Sequence, residues 1–520
     1  MTRPQETDLG TSIVALDRFI LATRDSGYKG TPSAIAELVD NSLQAGARRI
    51  EIVITSDSGE PRWPLTVSVA DDGVGMSHST LCQALRFGGS ARFNDRRGLG
   101  RFGMGLPNSS LSQARRVEVI TWQSPGRALV SHLDTDEIAT GQVTEIPPPA
   151  LCGVPKGMPG ETGTLVRWLR CDRLEFKRPD TIIRKLAPRI GRVFRHFLLD
   201  GVVITLNGNE VAPIDPLFLD PCAVFNGARQ FGAPIRYEVA TLSEDHQEEI
   251  IGEVQVIFSE LPVQEWHCLP NAEKRARGIA KGAGVSVVRA GREIDHGWFF
   301  LGSKRKENYD DWWRCEICFE PELDDLFGIT HTKQQIRPSP ALSEVLTRDI
   351  EATARALNAR ARRAHEVAKV RRRLAVAEHR ASGRDARLTP LPDRPLDERQ
   401  RGELERLAVR FPGLLDGTDS ARFRLIIDTI PGTRLYEVYP LDGLLLVVMN
   451  SQHPFFTDLY GPLMESGRGE DDAVRSLLDL VILAAARGEA AEDDAPAAAR
   501  GLVQRWSDVL SEFLKDEANG

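Results

Sequence analysis

Three short segments in the first third of the chain carry residue types whose spacing could do chemistry. In AELVDNS, Glu37 and Asn41 stand four apart, so on a helix they share one face. A carboxylate and an amide side by side could orient a water and hold an ion. In DDGVGM, Asp71 follows the alternating run LTVSVA, where its carboxylate could accept hydrogen bonds from the amine of a base. Gly73 and Gly75 come next and let the backbone approach a ligand closely. In GLGRFGMGLPNSS, Gly100, Gly103 and Gly105 run into a predicted helix from about Leu106. Backbone N–H groups of a glycine turn at a helix N-terminus form a phosphate cradle. This GxxGxG does not follow a strand opening a βαβ unit, which argues against a dinucleotide site. Each segment alone has a bland reading: a solvated helix face, a turn, a loop. Their conjunction in this order far exceeds chance.

The surrounding pattern supplies elements to position them. Residues 34–43 are predicted helical, because Ile35, Leu38, Val39 and Leu43 fall at three-to-four spacing. RIEIVIT at 49–55 and LTVSVA at 65–70 alternate as strands. Residues 86–105, rich in glycine and arginine, read as a loop. Further strands are expected at 117–122, 164–169 and 202–206, the last closing on the turn Asn207-Gly208, with a helix over 181–199. Residues 230–340 read as a second α/β domain with strands at 252–258, 285–289 and 315–320. Its tract 271–284 is basic, contains glycine and reads as a loop. One long helix is expected over 340–379. A linker follows over 381–395, from its proline and small residues, and then a domain over 398–520 with strands at 423–427 and 444–449 before helices.

Composition bounds the answer. The chain has 520 residues, of which 41% are hydrophobic and 27% charged, ordinary for a globular protein of about three domains. No apolar run is long enough for a membrane span. The opening MTRPQETDLG lacks the basic-then-apolar pattern of a signal peptide, and seven scattered cysteines exclude a disulfide framework, so a cytoplasmic protein is expected. The net charge of -8 means that any nucleic-acid contact must come from a local patch. Arginine outnumbers lysine about five to one, which we ascribe to a GC-rich, bacterial genome rather than to function.

Taken in order, the three segments resemble the motifs of the GHKL ATPases, the superfamily of gyrase B subunits, ninety-kilodalton heat-shock chaperones, histidine kinases and MutL. Glu37-Leu-Val-Asp-Asn41-Ser42 matches the N-box, Asp71-Asp-Gly73-Val-Gly75-Met76 the second motif, Gly100-Arg101-Phe102-Gly103-Met104-Gly105 the lid motif, and Gly163-Thr164 the fourth. The resemblance covers about the first 40% of the chain. It implies ATP and Mg²⁺ as cofactors. Glu37 would be the general base that activates water, and Asn41 would bind Mg²⁺. Asp71 would accept the adenine amine with Thr164 alongside, and Gly73, Gly75 and Met76 would complete that wall. Residues 100–105, with Gly103 and Gly105 at the phosphates, would end an ATP lid over 86–105 that carries Arg92, Arg96, Arg97 and Arg101. Many relatives have an acid three residues past the Asn, where this chain has Gln44. FGITHTKQQIRP at 327–338 is similar to the transducer loop of gyrase-type, MutL-type and MORC ATPases, which implies that Lys333 reaches the γ-phosphate. The implied architecture is α/β (α+β). A Bergerat-fold α/β sandwich at 1–217, with residues 1–30 as an exchanged strap, precedes a transducer α/β domain at 218–340. A long basic helix with its linker occupies 341–397, and a C-terminal α/β domain occupies 398–520.

The resemblance further implies an ATP-dependent homodimer that clamps DNA, in a bacterial phage-defence or DNA-modification setting, with operon-encoded protein partners. The helix over 355–387 bears Arg355, Arg360, Arg362, Arg363, Lys369, Arg371, Arg372, Arg373, Arg380, Arg384 and Arg387 against Glu366, Glu378 and Asp385. It reads as a solvated helix in an arginine-rich proteome, as a contact to the backbone of double-stranded DNA, or as a face docked on the acidic last fifty residues. The rival functions are a chaperone-like ATPase acting on protein clients and a nucleotide-sensing scaffold. Cys315 and Cys318 form a CxxC without a second pair, so buried thiols are preferred to a zinc site. His365 and His379 lie on the basic helix with no partner evident in the sequence, His453 reads as structural, and no nuclease metal motif is visible.

Overall fold

The structure, a computed structural model, describes residues 16–26, 28, 30–56, 62–89, 104–140, 143–242, 249–329, 335–392, 395–411, 421–466, 468–492 and 496–514. The expected strap (for the most part), Arg92, Arg96, Arg97, Gly100, Arg101, Phe102, Gly103 and Lys333 lie outside these residues. The chain divides into two compact units, residues 1–361 and 362–520.

The first unit opens with helices α1 (Leu16–Ser26) and α2 (Thr31–Gln44), then strands β1 (Arg49–Ser56) and β2 (Leu65–Asp71). Pro32 in the first turn suits the start of α2, and Gly46, at φ 77°, lets the chain turn out of it. Helix α3 (His78–Leu85) and helix α4 (Gly105–Gln113) precede β3 (Arg116–Ser124) and β4 (Arg127–Asp134). A short α5 (Thr135–Ala139), β5 (Ala150–Cys152) and β6 (Gly163–Leu169) follow, then α6 (Pro179–Val193), α7 (Arg195–Leu199), β7 (Val203–Leu206) and β8 (Asn209–Glu210). Among the described residues these strands form one sheet in the order β5-β4-β3-β6-β2-β1-β7-β8. Alternation decides which face is covered. Leu65, Val67 and Val69 of β2, Val117 and Val119 of β3, and Val166 and Trp168 of β6 bury against Ala34, Ile35, Leu38 and Val39 of α2. The Asn207-Gly208 turn between β7 and β8 has both residues at positive φ, 46° and 81°, as a two-residue hairpin of that twist requires.

The helix expected as one piece over 181–199 is two. Phe194 breaks it at φ -106°, ψ 18°, and the break turns the buried Arg195 toward Glu293 and Glu316.

The second sheet of this unit uses β9 (Arg229–Gln230), β10 (Ile235–Leu242), β11 (Glu249–Glu260), β12 (Val285–Arg289), β13 (Arg292–Gly297) and β14 (Trp313–Phe319), in the order β10-β11-β14-β12-β13 with β9 also on β11. The tract expected as a loop begins as a helix. After α8 (Val263–Trp266), α9 (Asn271–Ala276) takes the good helix formers AEKRA behind Asn271, and only the glycine-containing remainder is irregular. After the one-turn α10 (Asp324–Phe327), α11 runs over Pro340–Asp385. Ser339 accepts a hydrogen bond from the Leu342 N–H at its start. Leu342, Leu346, Ile350, Ala354 and Leu357 form the stripe that covers the second sheet.

The second unit takes α11 from residue 362. The helix outruns the expected end at 379 and occupies the first five residues of the expected linker. Asp385 closes it, bonded by Arg422 and Arg487. A helix the sequence pattern does not announce, α12 (Glu398–Arg410), follows, capped by Asp397, whose carboxylate accepts the Gln400 N–H. Strands β15 (Phe423–Asp428), β16 (Tyr436–Leu441) and β17 (Leu444–Asn450) pair in the order β15-β17-β16. Helix α12 covers one face. The other packs on Leu374 and Ala377 of α11 and on Ile482, Leu483 and Ala486 of the C-terminal helices, α13 (Gly461–Ser466), α14 (Gly469–Ala491) and α15 (Pro496–Phe513). His453 is structural: its ring accepts from the Phe455 N–H and lies 3.1 Å from the Ser507 carbonyl.

Candidate nucleotide site

The register of the first sheet assembles the site. Asp71 of β2 pairs with Thr164 of β6, and Thr164 pairs with Thr121 of β3, so three polar side chains form a row where the apolar face ends. The Thr164 N–H donates to Asp71 Oδ1 at 3.2 Å, and the two threonine hydroxyls lie 3.2 Å apart. Helix α2 crosses this row. Its Ser42 hydroxyl donates to Asp71 Oδ2 at 2.9 Å, and the Gly73 N–H donates to Oδ1 at 2.9 Å. Burial pushes the Asp71 carboxyl above its usual range, against the opposing pull of Gly73, Ser42 and Thr164. Beside it, Gly75 sits at φ 66°, and a Cβ there would stand 2.2 Å from the Trp122 carbonyl oxygen. Met76 donates its N–H to the Thr121 hydroxyl at 2.8 Å.

One turn back along α2, Glu37 is buried with 4% of its surface exposed. Asn41 shares its face and is half-buried. Gly105, the first residue of α4, lies against the acid: a Cβ there would stand 2.2 Å from Glu37 Oε1. Met104 precedes it at the helix start. Helix α4 buries Asn108, Ser109, Ser110, Ser112 and Gln113, and the Asn108 Oδ1 and Ser110 Oγ atoms have no protein partner. A buried polar helix that begins on a glycine against a carboxylate, with unsatisfied groups along it, is built for a polar ligand rather than for packing. The set suits a Mg²⁺–nucleotide: Asn41 supplies a hard amide oxygen, and the absent side chain of Gly105 leaves room next to Glu37.

Several contributors are not foreseeable from the motifs. Tyr28 is buried, and its hydroxyl hydrogen-bonds Glu37; burial and then the Glu37 charge push the phenol far above its ordinary value. It falls within the segment expected to leave as a strap. Thr121 is legible in the sequence only as part of a strand, and its place beside Thr164 follows from register, which residue types do not reveal. Asp40, within the N-box, is fully buried and meets Arg292 Nε of β13 at 2.8 Å. That ion pair leads into a larger seam. Arg192 and Arg195 both bind Glu293, and Arg195 also binds Glu316. Burial raises both glutamates, but Arg192 and Arg195 outweigh it for Glu293, and Arg195 and His196 for Glu316, leaving each below the usual range. Thus α2, α6 and α7 are wired by charge to β12–β14, and the coupling starts next to Asn41.

The CxxC resolves simply. Residues three apart on a strand face opposite ways, so Cys315 lies in the core while Cys318 shares the other face with Glu316. His196, Glu316 and Cys318 place ligand atoms within 4.8 Å of one another, but Arg195 already neutralises Glu316.

Residues 28–155 match the family model described as histidine kinase-, DNA gyrase B-, and HSP90-like ATPase. Together with the sheet, α2 and the Asp71 row, that match makes this part of the chain similar to GHKL-type ATPase domains. Among individual proteins, the DNA mismatch repair protein MutL of Rhodopseudomonas palustris is 30% identical over 194 residues, 35% of this chain and 29% of its own length. The ATPase morc-1 of Caenorhabditis elegans is 33% identical over 101 residues, 19% of this chain and 11% of its own length. A solved N-terminal domain of a DNA repair protein superposes with a TM-score of 0.42 at 14% identity, over 65% of this chain and 98% of that one. This chain therefore spans less than a third of the MutL relatives it matches.

Proposed function

We propose that the chain binds Mg²⁺–ATP between α2, the Asp71 row and the start of α4, and hydrolyses it slowly. The observation that carries this reading is the Asp71 carboxylate, fixed by Ser42, Gly73 and Thr164 with its acceptor capacity at the mouth of the sheet. Asp71 accepts the adenine amine. Glu37, held by Tyr28, takes the proton of the attacking water. Asn41 would hold a Mg²⁺, which when bound would offset charge on the phosphates. By the resemblance, residues 100–105 would supply N–H groups to the phosphates and Lys333 would meet the terminal phosphate, although of these only Met104 and Gly105 are among the described residues. The Asp40–Arg292 pair and the seam behind it would pass the nucleotide state to the second sheet. The DNA mismatch repair name of the MutL relative favours DNA as the substrate of an ATP-driven clamp, and the defence or DNA-modification setting is part of the proposal without that support. The test is ATP binding and phosphate release by wild type, Asp71→Asn and Glu37→Gln. Loss of binding in the first and of turnover alone in the second is expected. Normal hydrolysis by both variants would sink the assignment.

A further inference from the structure

The basic tract 271–284 has no part in the reading above, yet it walls a cavity of about 370 Å³ beside the second sheet. That volume is within the range of small-molecule sites, about 300–1,000 Å³. Arg192, Arg275, Arg277, Lys281 and Arg314 line it, against one acid, Asp215. Asp215 is occupied by backbone, accepting from the N–H groups of Leu217, Leu219 and Asp220. Arg192 and Arg277 are paired with Glu293 and Glu273. Arg275, Lys281 and Arg314 form no ion pair among the described residues; Arg275 and Lys281 are exposed, whereas Arg314 is buried, and most other buried arginines among the described residues are paired.

Arg314 is the decisive member. It is 2% exposed, and its guanidinium donates only to neutral carbonyls, those of Gly278, Ile279, Asp311 and Trp313. A buried cation whose hydrogen bonds all go to neutral carbonyls, with the Asp311 charge acting on it only through space, is costly unless an anion meets it. Burial draws its pKa down to about 9, with Asp311 opposing. The backbone around the cavity is strained in the same place. Lys281 at φ 65° and Phe218 at φ 57° are non-glycine residues in the left-handed region, and both line it. Lys281 is held there by its N–H, which donates to Asp311 Oδ1 at 3.1 Å. Such strain is kept where a loop must present its side chain or amide to a ligand. Two aromatic faces complete the wall: Arg314 lies 5.6 Å over the Phe218 ring, and Arg277 lies 5.3 Å over Phe225.

We propose that this cavity is a second anion site, separate from the Asp71 pocket, and that it takes a phosphorylated small molecule of nucleotide size. Arg275, Lys281 and Arg314 meet the phosphate, and the Phe218 and Phe225 edge accommodates a flat ring.

The test is calorimetric titration of the full chain, without Mg²⁺, with inorganic pyrophosphate and with AMP. It is repeated on Arg275→Glu/Lys281→Glu, on Lys281→Gly and on Asp71→Asn. At least a tenfold loss of pyrophosphate affinity in the double variant, with Asp71→Asn unchanged, is expected. Lys281→Gly removes the cation and relieves the positive φ, so it should melt no lower than wild type yet bind more weakly, which keeps the test readable if the double variant fails to fold. AMP binding more tightly than pyrophosphate at this site supports a nucleotide, and equal affinity supports a simpler phosphate compound. Binding unaffected by the cavity variants, or lost only in Asp71→Asn, overturns the proposal. So does a cavity that ignores both compounds while the same variants weaken binding of a DNA duplex.

Discussion

Glu37, Gly105 and Asp71 each carry a separable consequence. Glu37→Gln keeps size and the contact to Tyr28 but cannot take a proton, so turnover should fall about 10²- to 10⁴-fold with ATP affinity kept, read by single-turnover phosphate release. Gly105→Ala drives a methyl to 2.2 Å from Glu37 Oε1. The Glu37 side chain must yield, at about 1–3 kcal/mol of overpacking, and turnover should drop along with thermal stability. Asp71 has a raised folded-state pKa, so it takes up its proton above the ordinary value of 3.8 as the pH falls. Its burial therefore weighs against the fold at neutral pH and is relieved on acidification, the reverse of a salt-bridged aspartate. Nucleotide affinity must run the other way, since the adenine amine needs the ionised acceptor. Kd for ATP should rise as pH drops toward that raised pKa, and Asp71→Asn should abolish the dependence along with tight binding.

Between the helices of the first sheet and strands β12–β14, buried charge pairs join elements that apolar packing holds elsewhere. The seam of α2, α6 and α7 with β12–β14 rests on Asp40–Arg292 and on Arg192 and Arg195 with Glu293 and Glu316, nearly all buried. Truncating one partner of a buried pair costs about 3–5 kcal/mol, far more than a surface pair contributes. Arg292→Ala should destabilise the first unit by that order in a denaturant melt, and Asp40→Asn should recover part of the loss in the double variant. If the seam also carries the nucleotide signal, Arg292→Lys should keep most stability while lowering ATP turnover. Equal turnover at equal stability would restrict the seam to a structural role.

For the whole molecule the question is what ATP does to assembly and to DNA. In the second unit, Arg363, Lys369, Arg372, Arg380, Arg384 and Arg387 are exposed and form no ion pair among the described residues. Arg371 and Arg373 instead turn inward, to Glu378 and to the Met464 carbonyl. The free face is thus narrower than the basic composition of 355–387 implies, and six cations remain for phosphates. Duplex affinity should fall with salt, and charge reversal at Arg363, Lys369 and Arg372 should flatten that slope by roughly one unit for each phosphate no longer neutralised. A non-hydrolysable ATP analogue should double the solution mass of Glu37→Gln. An unchanged mass with bound nucleotide would favour the scaffold over the clamp.

The proposed nucleotide pocket is legible from residues because three segments with bland readings of their own occur together in one order, and because α2 and β2 announce themselves by periods of 3.6 and 2. The same local logic places the Asn207-Gly208 hairpin and most strands of the second sheet. It misses the break at Phe194, the last turns of α11, helix α12 and the α9 turn of the basic tract. Each of these is decided by what a side chain meets after folding, as Arg195 meets Glu293 and Asp385 meets Arg487. Tertiary structure alone decided that Thr121 stands beside Thr164, that Tyr28 holds Glu37, that Asp40 pairs with a residue 252 positions away, and that three unpaired cations share one cavity. Sequence carries short-range periodicity and steric necessity. Register, burial and charge compensation join distant positions, and they exist only once the chain has closed on itself.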